Sequence, residues 1–132
     1  RGETTEVNDY LVKRTQEILK GTAQSLDVQL SIEDLGSVYD IKNDPELVEY
    51  LKEVASQCPL VKAVTTHSDF GGSEDASIII KRIQQLFGKC IYFVIGADRT
   101  AGHHQPDFDA DEAALEIGFE MFKGLIRKIN GC

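Results

Sequence analysis

The run from Cys90 to Ala97, CIYFVIGA, constrains the fold more than any other part of this chain. It is continuously apolar, rich in β-branched and aromatic residues, and far shorter than the ~20 residues a membrane-crossing helix needs. Such a run predicts a strand covered on both faces, as in a sheet flanked by helices. The rest of the chain is read around that strand.

Upstream, Thr4 or Thr5 can accept from early backbone amides, and Val7, Leu11, Ile18 and Leu19 recur near helical spacing up to Gly21 or Ala23. This predicts a long amphipathic helix. Val28, Leu30 and Ile32 then alternate with Gln29, Ser31 and Glu33, the period of a strand with one face wet. In DPELVEYLKEVASQC, Asp44 can cap, Pro45 suits the first helical position, and Leu47, Leu51, Val54 and Cys58 face one way. LVKAVTTH is a short strand candidate and SDFGG a turn. SEDASIIIKRIQQLF reads as a helix capped by Ser73, with Ile79, Ile80, Ile83 and Phe87 on its apolar face. After a polar loop, a last helix carries Leu115, Gly118, Phe122, Leu125 and Ile129 on one stripe, with basic residues near its end. The predicted class is α/β, and the change from a half-exposed to a buried strand places a boundary at about residues 35 to 43.

Composition narrows the function classes. In 132 residues, 42% of them hydrophobic, there is enough apolar material for a core. With 22 acidic and 14 basic residues the net charge is -8, and no Lys/Arg cluster is available to neutralise a phosphate backbone or an anionic membrane surface. Nucleic acid and membrane are therefore not expected partners. There is no basic-then-apolar leader at the start, and Cys58, Cys90 and Cys132 are an odd number at wide spacings, which fits reduced thiols and a cytoplasmic setting. The only methionine is Met121, so a longer parent protein is expected.

Chemistry can sit in two places. In DFGGSEDA, two glycines before a helix start allow close backbone approach, and first-turn amides at Gly72 and Ser73 can hold a carboxylate; a plain capped helix after a glycine turn is the commoner structure. In DRTAGHHQPDFDADE, His103 and His104 stand among five carboxylates. Imidazole is a common zinc ligand, and adjacent residues of an extended segment point apart, so one histidine of the pair is expected to reach a given metal. A solvated polar loop explains the pair equally well, because His67 lies in a separate segment and a catalytic zinc usually takes three protein ligands. Asp107, Asp109, Asp111 and Glu112 read as cap and dipole charges for the last helix. Nucleophilic catalysis has little support, since Cys58 and Cys90 lie in apolar stretches and no Gly-x-Ser-x-Gly elbow occurs.

Together GGSEDA, YFVIGAD and AGHHQPDFDADEAALEIG resemble the C-terminal part of the dinuclear-metal amidohydrolases and peptidases, which include aminoacylases, indole-acetyl-amino-acid hydrolases and glutamate carboxypeptidases. The p-aminobenzoyl-glutamate hydrolases are the most similar subfamily, and RGETTEVNDYLVKRTQEIL extends the likeness to nearly the whole chain. The resemblance implies that residues 1–36 are the end of a lid and dimerisation domain, a helix plus a half-exposed strand. Residues 37–132 would then be the C-terminal part of a catalytic domain with a mixed sheet flanked by helices. It further implies that His104 ligates one of two divalent ions, zinc or manganese, while His103 is a neighbour not required as a ligand. Gly72 and Ser73 are expected at the substrate, through the Gly72 amide, and Arg1 matches an arginine that helps bind the substrate carboxylate. Ala76 stands where many relatives carry Phe, which leaves the pocket shape open. The family's His-x-Asp and Glu-Glu motifs, the latter holding the general base, have no counterpart here. The expectation is part of a homodimeric amide hydrolase of N-acyl or N-aroyl amino acids, inactive as this piece. The alternative is a stand-alone acidic α/β domain that binds a small carboxylate or mediates dimerisation.

Overall fold

Helix signals are local, and they are met where the sequence places them. The computed structural model describes residues 2–66 and 74–131, and its regular elements are α1 (Thr5–Ser25), α2 (Pro45–Gln57), α3 (Ala76–Gln85) and α4 (Ala113–Asn130). They belong to two compact units that interleave along the chain: α1, the segment to Lys42 and α3 in one, α2, the residues from Lys89 and α4 in the other.

In the first unit, Thr4 caps α1 by accepting from the Val7 amide at 3.3 Å. The helix runs to Ser25, and Asp27, at φ 50°, turns the chain so that the Val28 amide reaches back to the Ala23 carbonyl. Ala23 is buried, while Val7, Leu11, Ile18 and Leu19 stay exposed. The irregular segment after α1 is fastened at its far end. Asp40 accepts from the Thr5 amide and hydroxyl, and Ser77 Oγ, buried in α3, accepts from the Tyr39 amide at 3.0 Å. Gln84 adds a bond to the Lys42 carbonyl. Ile80 is the buried apolar residue of α3; Ile79 and Phe87 point outward, and Phe87 sits at φ 62° where the helix has ended.

In the second unit, α2 and α4 pack together. Leu47 and Ala55 from α2 and Met121 and Leu125 from α4 are its buried apolar side chains, each large one contributing about 1.5–3 kcal/mol by leaving water. The contact is close because Gly124 has no side chain: a Cβ there would lie 2.5 Å from Val54 Cγ1. Gly131, at φ 71°, ends α4 by donating to the Arg127 carbonyl. The apolar stripe read from the sequence is only partly the buried one, since Leu125 is inside while Leu115, Phe122 and Ile129 are exposed.

The expected mixed sheet does not form among the described residues. Among the described residues there is no strand, and the lone β-bridge joins Arg99 to Ala110. The half-exposed strand expected at Val28–Ile32, the short one at LVKAVTTH and the central one at Cys90–Ala97 are all irregular backbone in their described parts. The physical reason is that a strand's hydrogen bonds are made with another strand, whereas a helix makes its own. At the start of the apolar run the backbone groups find other partners. Asp44 exchanges main-chain and carboxylate bonds with Cys90, its amide donating to the Cys90 carbonyl at 3.0 Å and its Oδ2 accepting from the Cys90 amide at 2.6 Å. Asn43 brackets Tyr92 through both side-chain atoms, Nδ2 to the carbonyl at 2.8 Å and Oδ1 from the amide at 2.7 Å. The run is covered on one face rather than two: Phe93 meets Phe122 at 5.0 Å between centroids, Ile95 lies beside Gly118, and Val94 between them is 60% exposed. Asp44, expected to cap α2, spends its carboxylate on Cys90 instead of the first-turn amides.

Candidate functional site

The loop from Asp98 to Glu112 joins the apolar run to α4 and is closed at its neck by polar bonds. The Thr100 amide donates to the Asp109 carbonyl at 3.0 Å and the Asp111 amide to the Asp98 carbonyl at 2.8 Å. Thr100 Oγ1 donates to the Asp107 carbonyl at 2.6 Å and accepts from the Asp109 amide at 2.9 Å. Thr100 thus ties both sides of the neck.

Beyond the neck two turns follow in succession. The Gln105 amide donates to the Gly102 carbonyl at 3.2 Å, and the Phe108 amide to the Gln105 carbonyl at 3.1 Å. His103 and His104 are the central pair of the first turn, and Pro106 occupies the second position of the second, where its fixed φ suits a turn. His104 has φ 66°, the left-handed value of the third residue in a type II turn, which histidine tolerates better than most side chains. The histidines sit on a turn rather than on the extended segment expected. His103 stacks on Phe108, centroids 5.1 Å apart and planes at 30°. His104 is exposed at the tip.

Two of the carboxylates serve the backbone. Asp109 accepts from its neighbour Ala110, and Asp111 accepts from Ala113 at 2.9 Å, which supplies the first residue of α4 with a partner. Glu112, the residue at the cap position, makes no side-chain cap bond. Among the described residues no group of three or more His, Cys, Asp or Glu side chains is placed to hold a metal ion. The described residues do not complete a ligand set, and no catalytic step follows from them alone.

Gly72, Ser73, Arg1 and His67 lie outside the described residues. Cys90 makes a poor nucleophile: burial, and then the Asp44 carboxylate beside it, push its thiol above the ordinary range. Sequence reasoning missed Thr100, Asn43 and the left-handed His104. Gly102 and Pro106, spaced to punctuate two turns, were the signal for the last of these. No comparable signal marks Thr100 or Asn43.

Among the described residues no helix is long and apolar enough to cross a membrane. Similarity to known proteins extends over nearly the whole chain. It is 39% identical over 129 residues to a homolog, in Haemophilus influenzae, of a p-aminobenzoyl-glutamate hydrolase subunit, covering 98% of this chain and 30% of that protein. It is 35% identical to the indole-3-acetyl-aspartic acid hydrolase of Enterobacter agglomerans and 33% identical to a p-aminobenzoyl-glutamate hydrolase subunit of Escherichia coli, in each case over 91% of this chain and 28% of the relative. The chain therefore spans about three tenths of the length of these curated relatives. No solved structure matches it. The family model for peptidase family M20/M25/M40 matches residues 4–128, from the cap of α1 to the last turn of α4, and the chain belongs to that family.

Proposed function

We propose that this chain is part of a metal-dependent hydrolase that cleaves the amide bond of an N-acyl or N-aroyl amino acid, of the aminobenzoyl-glutamate kind. In this reading His104 supplies one imidazole to a site for two divalent ions, zinc or manganese. The observation that carries it is the presentation of His104: a left-handed, exposed turn residue in a loop whose neck is closed by Thr100, while His103, exposed as well, is engaged in a ring stack with Phe108. The names of the relatives supply the substrate class, an acyl group joined to an amino acid that keeps a free carboxylate. Gly72, Ser73 and Arg1 are proposed to meet that carboxylate. Residues 1–36 would belong to a lid and dimerisation region, and residues 37–132 to the catalytic part. The remaining ligands and the general base would lie beyond this chain, which would be inactive alone and part of a cytoplasmic homodimer when whole.

Isothermal titration of the chain with zinc tests the ligand assignment. Weak binding that His104→Ala removes is expected; sub-micromolar binding that survives His104→Ala overturns it. Urea unfolding of His104→Ala, shifted by no more than about 1 kcal/mol at this exposed left-handed position, shows that the loss is not one of folding. The reading as part of a hydrolase stands or falls on the gene: a His-x-Asp and a Glu-Glu pair in frame upstream support it, and a start codon immediately before Arg1 overturns it.

A further inference from the structure

We draw no further inference here: the strongest candidate, the exposed apolar stripe of α4 that runs through Leu115, Phe119, Ile126 and Ile129, is an unpartnered helix face and nothing in the structure shows what covers it.

Discussion

The α2–α4 pair and the 98–112 loop lie in the same compact unit, and they are held by opposite means. Between the helices the contact is mainly apolar and close, with Leu47, Ala55, Met121 and Leu125 buried and Gly124 against Val54, and at its exposed edge Lys128 adds an ion pair to Glu53 and a cation–π contact to Tyr50. Around the loop the ties are polar and wet, concentrated on Thr100 and two consecutive turns. Packing is unforgiving of volume change because interiors are dense and relax only in part. Exposed hydrogen bonds are forgiving, because water replaces a lost partner. A chain built this way can keep its scaffold unchanged while the loop tip accepts substitution.

The difference can be broken most directly at Leu125. Leu125→Ala should cost about 2–5 kcal/mol of stability in urea unfolding followed by far-UV circular dichroism. A loss under about 1 kcal/mol would mean that the helix pair is not the core of its unit. Glycine substitutions in α4 sharpen the point, because two sites on one helix should respond with opposite signs. Gly124→Val, driven into Val54, should destabilise by about 1–3 kcal/mol. Gly118→Ala, whose Cβ would rest 3.7 Å from Ile95 Cγ1 in ordinary contact, should instead gain up to about 0.8 kcal/mol from helix propensity. Equal responses at the two glycines would show that close approach does not limit side-chain size at Gly124.

On the loop side, Thr100→Val should cost only about 0.5–1.5 kcal/mol, yet speed hydrogen exchange at the Asp109 amide while leaving amides in α2 untouched. Slowed or unchanged exchange there would show that the neck is held by something other than the Thr100 hydroxyl. The smallest effect concerns charge. The Glu46 carboxyl at the start of α2 is held below the usual carboxylate range, first by its bond to Lys89 and then by that from Tyr50. A depressed folded value means that the contribution is present above the unfolded value and is lost as the pH falls through the folded one. Lys89→Met should therefore flatten the acid side of the stability profile slightly and leave neutral pH almost unchanged, since the pair is solvent-exposed and screened. A large loss at neutral pH would make ion pairing, not packing, the main support of α2.

The legible part of this protein was its helices and its family. Thr4, Pro45 and the basic residues at Arg127 and Lys128 announced helix ends that the structure keeps within a few residues. The loop was legible as a place but not as a shape. Its histidines were expected on extended backbone, and the turn that carries His104 depends on a left-handed residue that no periodicity encodes. Asp44 shows the same limit from another side. Its position was right for capping, but the Cys90 amide, forty-six positions along the chain, competes for the same carboxylate and wins.

What the sequence by itself determined is what depends on neighbours three or four residues away: where helices start and stop, which side of α2 is apolar, and the linked motifs that mark membership of the M20/M25/M40 family. Only the tertiary structure decided the fate of the apolar runs. CIYFVIGA carries a strong strand signal, but strand bonds have to be supplied from elsewhere in the chain. Here Asn43 and Asp44 take the first of those backbone groups, α4 covers one face of the run, and no ladder forms among the described residues.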